Sequence, residues 1–265
     1  MTNAISGLGL APDAAMIQFP IDLFLPGSNI DALAARKQEF YDGLTRWQSS
    51  HIKAGAAPML KVIGESYEDA LQKANDLAIT NLWGDGLPLW PATRERLNRI
   101  LRGTPLPRTH VVGKFPPRGG ITTVETCAVS LAMAGGRPEY LPVLIAAVEA
   151  FLHPETNAEQ LQAASGSAYP VVVVNGPIAK QIRLNSGFGC LGPDPQRPAG
   201  ASIGRALRLI QQNVGGALPG IGAMANYGGM RNVNMVFAED EDNLPEGWPA
   251  HGTERHGFAR ETNSV

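Results

Sequence analysis

Cysteine is scarce in this chain: Cys127 and Cys190 are the only two among 265 residues, and no C-x-x-C spacing occurs. That excludes a zinc ribbon and a thioredoxin-type redox motif, and leaves a disulfide framework nothing to build on, so both thiols read as free. Long hydrophobic runs are lacking as well. The longest apolar stretch, YLPVLIAAVEAFL, is interrupted by Pro142 and Glu149 and is too short to cross a bilayer. The first 20 residues contain no Lys or Arg, and Pro12, Asp13 and Pro20 break their apolar character, so neither a secretory signal nor an anchor is readable. There is no basic excess, since 22 Lys and Arg face 24 Asp and Glu, which argues against a nucleic-acid partner bound through phosphate neutralisation. The expectation is a soluble, cytoplasmic protein with no membrane partner. With 44% hydrophobic and 17% charged residues, the chain can bury a real core without covalent staples.

Three zones follow one another along the chain. Residues 1–60 read as an irregular N-terminal arm or cap, with one helix over 29–52 carried by Leu33, Phe40, Leu44 and Trp47 at helical spacing. Residues 61–258 read as the core domain, opening on strand-like MLKVIG. A helix then starts at Ser66, where Asp69 three residues on forms a near capping box. The loop GDGLPLWPAT precedes a helix over 93–101. Two strongly apolar helices meet at Gly135-Gly136, with Pro138 suited to the first turn of the second. YPVVVVNGPI carries a four-valine strand of the kind expected in a sheet covered on both faces, and NVNMVFAED gives another strand. Strands alternating with apolar helices predict an α/β fold, a layered sheet whose buried central strands are covered by helices. Residues 259–265 read as a tail.

SGFGCLG holds a G-x-G-x-x-G run at Gly187, Gly189 and Gly192. A dinucleotide site needs the first glycine at a strand end and a helix directly after the last. Here the preceding strand ends about ten residues too early, and Pro193 and Pro195 block a helix start. The acidic residue that would hold a ribose hydroxyl is also missing, because no Asp or Glu lies between Asp194 and Glu239. The run therefore argues for a tight loop rather than for NAD.

The missing acids are informative in themselves. Between Gln160 and Ala238 the only acidic residue is Asp194, against Lys180, Arg183, Arg197, Arg205, Arg208 and Arg231. Lys180, Arg183 and Arg208 read as ordinary surface charges. Arg205 is different: with a helix starting near Ser202 it falls in the first turn, where a cation opposes the helix dipole and a bound anion would account for it. The same region supplies Gly-rich loops and the amides of Asn175 and Asn185, all donors suited to carboxylate or phosphate oxygens. An anionic small molecule is the natural guest.

The segments WGDGLPLWPAT, VVGKFPPRGGITTVETCAVSLAMAGGRPEYLPVLIAAVEA, VVVVNGPIAKQIRLNSGFGCLGP, ASIGRALRLIQQNVGG and VFAEDED resemble, in the same order, the long C-terminal module of the poorly characterised UGSC (seleno)protein family, over residues 65–258. The resemblance implies functional positions at Asp85 and Gly86, Glu125, Arg137 and Glu139, Asn175, Asn185 and Ser186, Arg205 and Glu239. Three features depart from the family. The Cys or selenocysteine motif that names it is absent. Gly136 stands where relatives often carry Cys. The sequence stops at Val265, where relatives tend to continue, so a second protein subunit supplying the missing module is expected, in a homo- or hetero-oligomer.

For chemistry, Glu125 and Asp85 are the candidate acid–base residues, since a carboxylate beside apolar stretches either shifts its protonation or finds a partner; for Glu125 the partner would be Arg137 or Arg118. Arg137, Asn175, Asn185, Ser186, Arg205 and Glu239 would hold the substrate. The reading is an acid–base enzyme acting on a small anionic or polar molecule, by hydrolysis or by elimination or addition at a carbon–heteroatom bond. Two alternatives stand beside it: a thiol-dependent redox protein using Cys190, and a non-catalytic ligand-binding subunit. His251, Glu254 and His256 have ligand types suited to a divalent metal such as zinc or iron, set against a solvated tail. The substrate and any cofactor stay open at this point.

Overall fold

The computed structural model describes residues 27, 31–46, 59–228 and 235–265. The chain divides into two units, Met1–Ile63 and Gly64–Val265. In the first, the described residues form two short helices, α1 (Asp31–Ala35) and α2 (Lys37–Thr45), in place of one continuous helix; Trp47 lies outside the described residues. MLKVIG forms no strand, and Met59, Leu60 and Ile63 are exposed.

The second unit is a mixed α/β structure. Its first helix, α3 (Tyr67–Thr80), starts as its sequence predicts: Ser66 Oγ accepts from the Asp69 N–H at 3.2 Å, and the Asp69 carboxylate accepts from the Glu65 N–H at 2.8 Å. Helix α4 (Arg94–Ile100) is capped by Thr93 and tightens into a 3-10 turn. A hairpin follows that was not foreseen, β1 (Val111–Phe115) against β2 (Gly120–Thr123), antiparallel. The prolines of KFPPRGG obscure it in the sequence, since strands rarely carry them. At Gly120 a side chain has no room, since a Cβ would stand 2.2 Å from the Val214 carbonyl oxygen.

Helices α5 (Val124–Met133) and α6 (Leu141–Leu152) meet at the expected glycine pair. Thr123 and Thr126 form a reciprocal capping box at the start of α5. Its other end is a Schellman motif: the Gly135 N–H donates to the Ala132 carbonyl at 3.1 Å and the Gly136 N–H to that of Leu131 at 2.8 Å, with Gly135 at φ +72°. Helix α6 is apolar apart from the exposed Glu149 and buries Leu141, Val143, Leu144, Ile145, Ala147, Val148 and Phe151. Phe151 stacks on Phe115 of the hairpin at 5.1 Å between centroids. Each such side chain contributes roughly 1.5–3 kcal/mol by leaving water.

After α7 (Ala158–Ala163) come β3 (Val171–Val174), α8 (Pro177–Gln181), α9 (Ala199–Asn213), β4 (Met235–Ala238) and α10 (His251–His256). β3 and β4 pair in parallel, Val171 beside Met235 and Val174 beside Ala238. Among the described residues this sheet has two strands, and its burial alternates: Val172 and Val174 are buried, while Val171 is 52% exposed and Val173 half-buried. The expectation of a strand covered on both faces is thus corrected, because four valines in a row supply apolar character on both sides without requiring cover on both. The residues read as a tail return to this sheet: Asn175 and Ser264 exchange backbone hydrogen bonds at 2.9 and 3.2 Å. Among the described residues no helix is long and apolar enough to cross a membrane.

Candidate functional site

A cavity of the second unit, about 250 Å³, is lined by Trp90, Arg96, Arg99, Ile100, Ala132, Gly135, Gly136 and Arg137. Local sequence accounts for its walls. Arg96 and Arg99 are three apart on α4 and so share one face of it. The turn that carries Arg137 is set against the end of α4 at Gly103, where a Cβ would stand 1.8 Å from the Pro138 carbonyl oxygen. Trp90 donates its backbone N–H to the Met133 carbonyl at 3.2 Å, tying the GDGLPLWP loop to the end of α5. The Arg96 guanidinium lies over the Trp90 ring, 4.2 Å from its centroid, a cation–π contact that orients the fork. Gly135 leaves space for that ring, since a Cβ there would meet Trp90 Cδ1 at 3.1 Å.

Three arginines, Arg96, Arg99 and Arg137, thus line one cavity, and no Asp or Glu does. Among the described residues none of the three makes an ion pair. Helix ends explain part of this: Arg99 lies in the last turn of α4 and Arg137 just beyond α5, positions where a cation gains typically 0.3–1 kcal/mol. They do not explain why the three converge on one concavity.

The carboxylates expected to act as acids or bases are engaged elsewhere. Asp85 accepts from Arg205 at both oxygens, 2.7 Å from Nε and 2.8 Å from Nη2, with its side chain 4% exposed and that of Arg205 16%. Burial pushes the Asp85 carboxyl up, but the hydrogen bonds and charge of Arg205, helped by the Leu87 N–H, more than offset it and hold it below its ordinary value. Arg205 also donates to the Pro88 carbonyl at 3.0 Å. Its placement is therefore corrected: α9 starts at Ala199, so Arg205 lies in the second turn, and its partner is Asp85. The start was missed because Pro198 and the small residues of AGAS carry little helical periodicity. Arg208, on the same helix, is half-buried and donates to the Ala217 carbonyl at 3.1 Å.

Glu125 pairs with Arg108, which approaches both carboxylate oxygens, Nε to Oε2 at 3.1 Å. Neither Arg137 nor Arg118 is the partner. The hairpin decides this, because it brings the Arg108 carbonyl to the Glu125 N–H at 2.9 Å.

At the ends of β3 and β4, Asn175 is 5% exposed and its side-chain amide donates to the carboxylates of Glu239 and Glu241. Glu239 also accepts from the His251 N–H at 2.9 Å, at the start of α10, and Glu241 from the Gly176 N–H at 2.7 Å. A second cavity beside this group, lined in part by Asn175, Glu241, Gly252, Thr253 and Ser264, measures about 10 Å³. That is room for about one water molecule.

Asn185, 3% exposed, closes its own loop. It donates to the Phe188 carbonyl at 3.1 Å and to Asp194 at 3.2 Å, and accepts from the Gly187 N–H at 3.1 Å and from Arg197 at 3.4 Å. Ser186 and Cys190 are half-buried on that loop, and Phe188 is fully exposed. Asn175 and Asn185 both flank β4, as the Glu239 N–H donates to the Val174 carbonyl and the Ala238 N–H to that of Asn185. Arg205, bound to the GDGLP loop, takes no part in this group. The expected convergence of Asn175, Asn185 and Arg205 on one cavity is not seen among the described residues, where each of these side chains is bonded to its own partners. His251, Glu254 and His256 are exposed on α10, and among the described residues no three His, Cys, Asp or Glu gather as a metal site. Glu139 is exposed beside Arg137.

Of the expected site residues, then, Arg137 alone lines the cavity of about 250 Å³. Arg96, Arg99 and Trp90 were missed. The signal available for them was the i, i+3 pair of arginines in RERLNRI directly after an aromatic loop. No protein-family model, no curated protein and no solved structure matches this chain. The functional reading rests on the site itself.

Proposed function

We propose that this protein binds a small anionic organic molecule in the cavity of Trp90, Arg96, Arg99 and Arg137, acting as a ligand-binding subunit of a cytoplasmic oligomer. The observation that carries the reading is that three arginines line a cavity of about 250 Å³ that no Asp or Glu lines. Arginine forks match carboxylate and phosphate oxygens, and Trp90, Ile100 and Ala132 offer an apolar wall to a carbon skeleton. Ligand binding is supported over acid–base catalysis because Asp85 and Glu125 are each engaged by an arginine, and the cavity beside Glu241 holds no more than about one water. Cys190 offers less to a redox reading, since among the described residues no cation is hydrogen-bonded to its sulfur. The oligomer is supported by the fully exposed Phe188 and the exposed Leu191 on the loop that Asn185 closes, a surface suited to burial in a subunit contact.

Isothermal titration of the full chain with a panel of mono-, di- and trivalent organic anions at low ionic strength tests the reading. Binding of at least one of them with Kd below about 1 mM, weakened at least tenfold by Arg137→Gln, is expected. Absence of binding by every anion overturns it. For the oligomer, light scattering across a dilution series is expected to give more than the single-chain mass, with Phe188→Ser shifting the balance toward the monomer. A single-chain mass at every concentration rejects that part.

A further inference from the structure

Building on the reading above, we infer that the ligand is a compact organic polyanion, with two or three fully ionised oxyanion groups on a short carbon skeleton. Charge is the first reason. A monoanion brings one charge to a cavity lined by three arginines, whereas a di- or trianion offers a partner to more than one of them. Arg96, Arg99 and Arg137 make no ion pair among the described residues, so no protein carboxylate competes for them.

Size is the second reason. Pockets for drug-sized ligands run to roughly 300–1,000 Å³, and this cavity falls below that range. A skeleton of roughly three to six carbons suits this volume better than a nucleotide does. The lining supplies the third. Trp90, Ile100 and Ala132 form an apolar side that inorganic phosphate would leave unused, and the Trp90 ring holds the Arg96 fork in place before any ligand arrives. Di- or tricarboxylates and small organophosphates share this chemistry.

The test is a titration series on the full chain at fixed low ionic strength, using propionate, succinate, tricarballylate, glycerol 3-phosphate, inorganic phosphate and ADP. Affinity is expected to rise about tenfold with each added carboxylate from propionate to tricarballylate. Either tricarballylate or glycerol 3-phosphate is expected to bind most tightly, and which one does separates the two sources. Arg99→Gln is expected to weaken tricarballylate binding about tenfold while changing propionate binding less than threefold, with an unaltered circular dichroism spectrum showing that the variant folds. Equal affinities for propionate and tricarballylate, both lost in Arg137→Gln, overturn the polyanion inference and leave the binding site standing. So does tighter binding of ADP, which refutes the size argument, or of inorganic phosphate, which refutes the carbon skeleton. Absence of binding by all six removes both this inference and the reading beneath it.

Discussion

Asp85 and Arg205 lie 120 residues apart in sequence and are joined by two hydrogen bonds of 2.7 and 2.8 Å, the carboxylate almost wholly withdrawn from water. The pair fastens the GDGLP loop to α9, and that loop leads directly to Trp90. Removing one partner strands the other as an uncompensated charge. Arg205→Ala is expected to destabilise the fold by about 3–5 kcal/mol, measured by urea unfolding, with the loss reading as a lower midpoint at unchanged slope. A change below 1 kcal/mol would show that the loop is held by other contacts.

The same pair sets an acid dependence. The folded Asp85 carboxyl lies below its ordinary value, so as pH falls the unfolded chain takes up the proton first. The stability it contributes is complete above about pH 4 and is lost as pH falls through the folded value. Asp85→Asn is therefore expected to be less stable than the native chain at pH 7, with the gap narrowing below about pH 4. Thermal melts of both proteins from pH 7 to pH 3 measure it, and a constant gap across that range contradicts the assignment.

The two thiols should behave differently. Burial, with a smaller contribution from the charge of Glu149, pushes the Cys127 thiol up to about 12, so it stays protonated through neutral pH. Cys190 is half-buried on an exposed loop. A thiol reagent at pH 8 is expected to modify one cysteine in the native protein and two in urea, and Cys190→Ser to remove the native reaction. Two rapid reactions in the native state would place Cys127 outside the core.

Gly135 links folding to the site. Its φ of +72° costs a side-chain-bearing residue about 1–2 kcal/mol, and a Cβ would press on Trp90. Gly135→Ala is expected to lower stability by about that amount and also to weaken anion binding. Lost stability with unchanged binding would separate the Schellman turn from the cavity wall.

Local signals were readable wherever one short segment carries its own instructions. Ser66 with Asp69, Thr93 and the Gly135-Gly136 turn each fix a backbone hydrogen-bond pattern within a few residues, and each stands where expected. The β1–β2 hairpin was hidden because its turn is written in prolines. Partner choice was less readable still. Glu125 has Arg118 and Arg137 closer in the chain, yet it meets Arg108 across a hairpin that was not foreseen. Asn175, Asn185 and Arg205 read as donors for a ligand, yet their hydrogen bonds go to the protein's own Glu239, Asp194 and Asp85. A sequence identifies residues with bonding capacity. Whether that capacity is already satisfied depends on long-range contacts.

Trp90 gives the cavity an optical property. An indole that forms one wall of the site, with the Arg96 guanidinium resting on its ring, reports any rearrangement of that cation as a change in emission. Occupancy can thus be followed without a label, and Trp90→Phe supplies the blank that separates this fluorophore from the other three tryptophans.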